Sequence, residues 1–66
     1  MRMTINGEER DVARGSTIAT LLHDLGVRRE GVAVALNDDV VPRGTHERAE
    51  LHEGDRVEII VAVAGG

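Results

Sequence analysis

The stretch Val57-Glu58-Ile59-Ile60-Val61-Ala62-Val63-Ala64-Gly65-Gly66 closes the 66-residue sequence and decides how the rest of it is read. Its side chains alternate as in a β-strand, with the odd-numbered valines and isoleucine on one face and Glu58, Ile60 and Ala62 on the other. We interpret the second face as only partly buried, with Ile60 and Ala62 forming a small apolar contact patch near the glycine pair, and the alternative is a strand at the centre of the sheet.

The glycine pair has a steric property that suits a reactive terminus. Glycine has no Cβ, so its backbone can enter a channel too narrow for any side chain. A carboxylate on such a residue is open to attack from either face, and we expect the free carboxylate of Gly66 to carry the chemistry. The alternative is a frayed terminus, although two glycines fall in the last two places of only roughly 0.5% of chains at average usage.

Size and composition limit the other possibilities. A chain of 66 residues is one domain, and a domain this small buries only about 60% of its unfolded surface. The chain has no cysteine, and its three histidines lack zinc-site spacing, so we predict no metal site. The net charge of −4 and the absence of aromatic residues argue against nucleic-acid partners.

Hydropathy predicts the compartment. No stretch reaches the ~18 apolar residues of a membrane span, and the first residues contain no continuous apolar region typical of a signal peptide. We expect a cytoplasmic protein that is a monomer when free.

The N-terminal half predicts a hairpin followed by a helix. Residues 1–5 alternate as a strand, Asn6-Gly7 favours a tight type I′ turn, and residues 8–12 return as a second strand. Ser16 or Thr17 can cap the helix that follows, and Gly26 suits its C-terminal cap. The helix is defined by one apolar stripe, formed by Ile18, Leu21, Leu22 and Leu25.

The C-terminal half predicts more strands. Residues 32–36 form a strand, Asn37-Asp38-Asp39 a turn, and Val40-Val41 a short return strand that ends at Pro42. We interpret the adjacent aspartates as turn residues, not as metal ligands. Residues 44–50 are irregular with a possible helical turn, and the His52–Asp55 turn leads to the last strand. One helix on one face of a mixed sheet is an α+β arrangement.

With these segments in place, the chain resembles the ThiS family, the sulfur carriers of thiamin thiazole biosynthesis. The segment Asn37-Asp38-Asp39-Val40-Val41-Pro42-Arg43 is the most specific part of the likeness. It is supported by residues 17–22, by residues 53–59 and by the Val63-Ala64-Gly65-Gly66 tail. One position departs from the family, which often has Trp a few residues after the Pro-Arg pair, where this chain has His46.

The resemblance implies a single ubiquitin-like β-grasp domain over residues 1–66, with about five strands and a flexible tail at residues 62–66. It implies a carrier with no catalytic residues and no stably bound cofactor. A ThiF-like adenylating enzyme would use ATP and Mg²⁺ to activate Gly66, and a cysteine-derived persulfide would supply the sulfur. The resulting thiocarboxylate would serve a ThiG-like thiazole synthase.

The resemblance also implies which residues meet a partner. Val63, Ala64, Gly65 and Gly66 would enter the partner's active site. Candidate docking residues on the folded body are Arg43, Glu58, Ile60 and Ala62. Two alternatives remain open from the residues alone: the small subunit of molybdopterin synthase, which has the same tail chemistry, and a non-covalent β-grasp interaction module.

Overall fold

The computed structural model describes residues 1–28 and 30–61. It contains five strands, one α-helix and one 3₁₀-helix. In chain order these are β1 (Arg2–Ile5), β2 (Glu8–Asp11), α1 (Ile18–Asp24), β3 (Val32–Leu36), β4 (Asp39–Val41), the 3₁₀-helix Arg43–Thr45 and β5 (Arg56–Val61). Within the described ranges no helix is long and apolar enough to cross a membrane.

Local sequence explains the hairpin and both ends of the helix. Asn6 and Gly7 have φ values of 52° and 83°, as the predicted type I′ turn requires. Thr17 caps the helix through a reciprocal bond with Thr20, in which each side-chain oxygen accepts from the other residue's backbone N–H. At the other end Gly26 has a φ of 72° and Val27 N–H donates to the Leu22 carbonyl, which completes a Schellman motif. All three predictions are confirmed.

The sheet places the last strand at its centre. The strand order is β2-β1-β5-β3-β4. β5 runs parallel to β1 and antiparallel to β3. The predicted α+β fold with a mixed five-stranded sheet and one helix is therefore confirmed. The last strand lies at the centre of the sheet, the arrangement that the sequence left as an alternative.

The core lies between the helix and one face of the sheet. Its buried apolar members are Met3, Ile5, Val12, Ile18, Leu21, Leu22, Val34, Leu51 and Val57. The helix has seven residues, so it is only about 10 Å long and covers the middle of the sheet. The helix-facing side of β5 therefore becomes more exposed along the strand, from Val57 at 1% to Val61 at 58%.

Asn37 holds the beginning of β5 in place. It adopts a left-handed conformation with a φ of 51°, which asparagine tolerates better than most residues. Its Oδ1 accepts from the Arg56 N–H at 2.9 Å, and its Nδ2 donates to Asp55 Oδ1 at 3.1 Å. The turn between β3 and β4 is thereby tied to the turn that precedes β5.

His46 ties the 3₁₀ region to the helix. Its side chain is 1% exposed, its ring Nε2 lies 3.2 Å from the Val41 carbonyl, and its own carbonyl accepts from the Ala19 N–H at 2.9 Å. Because a carbonyl only accepts, the hydrogen bond requires Nε2 to carry the proton. His46 therefore occupies an interior position in this chain.

Candidate functional site

Strand directions determine where the C-terminal segment leaves the domain. β4 and β5 are both antiparallel to β3, so they run in the same direction and end at the same edge of the sheet. Val61 is the last described residue at that edge, and Arg43 follows the end of β4 there. The topology therefore brings Arg43 and the end of β5 to one side of the molecule.

The face of the sheet opposite the helix carries an apolar patch beside this edge. Ile60 is 64% exposed and lies opposite Ala33 on β3, while Val40 is 74% exposed and lies opposite Ala35. Ala33 is exposed and Ala35 half-buried. These four residues, Ala33, Ala35, Val40 and Ile60, are called the outer patch below. Exposed apolar clusters of this kind mark interaction surfaces.

Both charged candidates are exposed, and Glu58 borders the outer patch. Glu58 is exposed and lies opposite Ala35, next to Ile60 on the same face of β5. Arg43 is exposed in the 3₁₀-helix. In the part of the chain that the structure describes, neither residue forms an ion pair, so both charges are available to a partner.

Sequence reasoning found Ile60 but missed Ala33, Ala35 and Val40. Alternation along residues 32–36 contained the signal, because Ala33 and Ala35 fall between the core-facing positions. What the sequence did not supply was the register that sets these alanines beside β5. The remaining predicted site residues, Ala62, Val63, Ala64, Gly65 and Gly66, lie outside the described residues.

No metal site emerges from the described ranges, which contain no cluster of three or more potential ligands. Asp38 instead pairs with the Arg56 guanidinium, and its φ of 74° shows that it sits in a turn. The interpretation of Asp38 as a turn residue is confirmed, whereas Asp39, predicted in the same turn, is the first residue of β4. The helix N-terminus is also occupied, because the Ile18 and Ala19 N–H groups donate to the carbonyls of Ala49 and His46.

Comparison with known proteins gives a consistent family. The sequence profile of the ThiS family matches residues 3–66. The chain is 32% identical over 66 residues to the sulfur carrier protein ThiS of Escherichia coli, with full coverage of both chains. A crystal structure of the thiamine biosynthesis protein ThiS from Geobacter metallireducens superposes with a TM-score of 0.87 at 33% identity, again with full coverage of both chains.

Longer proteins also contain this region. The chain is 38% identical over 66 residues to a thiazole synthase of Paramagnetospirillum magneticum. It spans about one fifth of the length of the thiazole synthases that it matches. In those relatives the matching region and the remainder of the synthase belong to one polypeptide.

Proposed function

The chain belongs to the ThiS family, and from this membership we propose that it is a sulfur carrier of thiamin biosynthesis, a group carrier and not an enzyme. The observation that carries the proposal is the extent of the family match, which reaches Gly66 and so includes the Gly-Gly ending. The end-to-end likeness to the E. coli carrier supports it.

In the proposed cycle the sulfur is held at the carboxyl group of Gly66, in a polypeptide that ends there. A carboxylate is a poor acyl donor, so an adenylating enzyme uses ATP and Mg²⁺ to convert it to an acyl-adenylate with release of pyrophosphate. A persulfide sulfur derived from cysteine then displaces AMP. A thiol that cleaves the S–S bond of the resulting acyl disulfide frees the thiocarboxylate, which thiazole synthase consumes.

The folded body contributes position to this chemistry. β5 is paired with β3 as far as Val61, so the last described residue before residues 62–66 has a fixed position relative to the outer patch. A partner that binds the outer patch, Glu58 and Arg43 would receive residues 63–66 at a defined place. Holding reacting groups in position in this way supplies a large part of the rate in group-transfer reactions.

The absence of cysteine makes the product easy to detect. The purified chain is incubated with an adenylating enzyme, ATP, Mg²⁺ and a persulfide donor, and then treated with a thiol-alkylating reagent. Because the chain has no thiol of its own, we expect one alkyl group per molecule, located on the C-terminal fragment. Methionine oxidation, which adds nearly the same mass as an oxygen-to-sulfur exchange, does not create an alkylation site.

Two matched variants sharpen the experiment. Deletion of Gly66 should abolish the alkylated product while the far-UV circular dichroism stays unchanged. A chain with extra residues after Gly66 has no carboxylate at that position and should also remain unmodified. If the wild-type chain stays unalkylated under conditions in which a known carrier is converted, the proposed function is wrong.

A further inference from the structure

The final part of β5 has one unpaired side. Asn37 and Arg56 form a hydrogen-bonded pair in the β3–β5 ladder, in which the Asn37 N–H donates to the Arg56 carbonyl at 2.8 Å. Hydrogen-bonded pairs alternate along an antiparallel ladder, so the backbone groups of Glu58 and Ile60 also face β3. Those of Val57, Ile59 and Val61 face the opposite side, towards β1.

β1 ends before it can pair with all of these groups. Its last residue lies opposite Val57, whose carbonyl accepts from the Asn6 N–H at 2.8 Å. The Asn6 side chain then takes the place of a strand, because its Oδ1 accepts from the Ile59 N–H at 2.7 Å. The Ile59 carbonyl and the Val61 N–H have no hydrogen-bond partner among the described residues, and these two groups are called the open edge below.

A groove of about 270 Å³ lies beside the open edge on the helix side of the sheet. Its apolar lining is contributed by Ile5 of β1, by Leu25 and Val27, which follow the helix, and by Ile59 and Val61 of β5. Glu8 and Arg10 of the hairpin line it as well. The combination of unpaired backbone groups and an adjacent aliphatic groove fits an extended peptide with an apolar side chain.

The other sheet edges are protected in ways that the open edge is not. β2 consists of Glu8, Glu9, Arg10 and Asp11, and such charged residues discourage strand pairing. β4 has three residues and is followed by Pro42, which has no N–H to donate. An aliphatic edge left open beside two protected ones indicates a surface that another strand covers.

The chain that follows Val61 points to the protein that supplies this strand. Residues 62–66 are five residues, and five residues span at most about 18 Å. Any protein that holds Gly66 must therefore bind it within about 18 Å of Val61, at the open edge's end of the molecule. Relatives that carry this region and thiazole synthase in one polypeptide favour the synthase as that protein.

We propose that an extended segment of thiazole synthase adds to the open edge as a further strand and places an aliphatic side chain in the groove. This inference rests on the proposed function, because it requires the synthase to receive the tail. Strand addition would supply main-chain hydrogen bonds to Ile59 and Val61, while the groove would select the side chain.

Amide hydrogen exchange measured by NMR on the ¹⁵N-labelled chain tests the proposal directly. In the free protein we expect the Val61 amide to exchange fast, and in the complex with thiazole synthase to slow by about tenfold or more. The Ile60 amide is the internal control, because it faces β3 and should be protected in both states. A Val61 amide that stays unprotected in a saturated complex overturns the proposal.

Exchange patterns also distinguish other occupants, each of which would overturn the proposal. Protection in the free chain that rises with its own concentration would indicate a second copy. Protection in the dilute free chain that disappears when residues 62–66 are removed would indicate the chain's own tail. Protection by the adenylating enzyme, without protection by the synthase, would assign the surface to the enzyme.

A pair of substitutions separates strand pairing from simple burial. Val61→Pro removes an N–H that has no partner among the described residues, so the melting temperature should stay close to that of the wild type. Its dissociation constant for the synthase should rise by about five-fold, the effect of one lost hydrogen bond. Val61→Thr keeps both the backbone N–H and the branched shape, and should bind within about two-fold of the wild type.

The same variants distinguish a failure of this inference from a failure of the proposed function. If Val61→Pro binds the synthase as tightly as Val61→Thr, while the wild-type chain still acquires sulfur at Gly66, strand addition is wrong and the carrier role stands. If the wild-type chain acquires no sulfur, the carrier role itself has failed.

Discussion

Replacing Asn37 by alanine should remove a large share of the stability of this small domain. The substitution deletes two side-chain hydrogen bonds, to the Arg56 N–H and to Asp55 Oδ1, each worth about 1 kcal/mol. It also forces alanine into a left-handed conformation at a φ of 51°, at a further cost of about 1 kcal/mol. The sum is about 3 kcal/mol, compared with a total of roughly 3–10 kcal/mol for a 66-residue domain.

The measurement is urea unfolding followed by far-UV circular dichroism, because the chain has no aromatic residue to serve as a fluorescent probe. We expect Asn37→Ala to lose about 3 kcal/mol of unfolding free energy in urea. In a thermal melt the same loss corresponds to a fall in melting temperature of roughly 12–24 °C. Asn37→Gly removes the same hydrogen bonds but tolerates the backbone angle, so it should lose about 2 kcal/mol. Asn37→Asp retains an acceptor for the Arg56 N–H but places a carboxylate beside that of Asp55. Because salt screens the repulsion between the two carboxylates, the loss of unfolding free energy in this variant should decrease as salt is added.

The reasoning about Asn37 would be refuted by an Asn37→Ala variant that unfolds within about 0.5 kcal/mol of the wild type. Equal losses for the alanine and glycine variants would refute one part of it, the cost assigned to the backbone conformation.

Three further predictions concern other parts of the molecule. Gly26→Ala should lower the free energy of unfolding by about 1 kcal/mol, because alanine is strained at a φ of 72°. An added Cβ would meet nothing within 4 Å, so the cost comes from the backbone conformation alone. A loss near zero in urea unfolding would contradict this. His46→Ala should lower the free energy of unfolding by about 3 kcal/mol in the same assay, because it leaves a cavity at a fully buried position and removes the hydrogen bond to Val41. His46→Phe keeps a ring at this position and should cost less. Ile60→Glu should weaken binding to thiazole synthase about ten-fold in titration calorimetry while the melting temperature is retained; unchanged affinity would exclude the outer patch from that interface.

Features set by neighbours in the chain could be predicted from the sequence. The Asn6-Gly7 turn, the Thr17 cap and the Gly26 terminus each depend on the conformational preference of one or two residues and on hydrogen bonds within one turn. These predictions hold because the local preferences agree with the global fold. The position of the last strand was not settled in this way, because its partly apolar second face fitted both a contact patch and a central strand.

Features that depend on register could not be predicted in this way. The sequence predicts Asn37 only as a turn residue, because its two side-chain partners lie eighteen and nineteen residues further along the chain. Predicting the outer patch requires knowing that Ala33 lies opposite Ile60 and that Val40 lies opposite Ala35. The sequence does not predict the burial of His46 either, because a lone histidine in an irregular segment belongs to no periodic pattern.

The central position of β5 has a consequence for biosynthesis. The ribosome makes this strand after the other four, yet it is the one that joins the β1–β2 hairpin to the β3–β4 hairpin. A nascent chain interrupted upstream of Arg56 would hold two separate hairpins with no common sheet, and isolated hairpins are barely stable in water. Cellular proteases would clear such fragments, so folding itself screens out molecules that lack the strand from which the glycine pair extends.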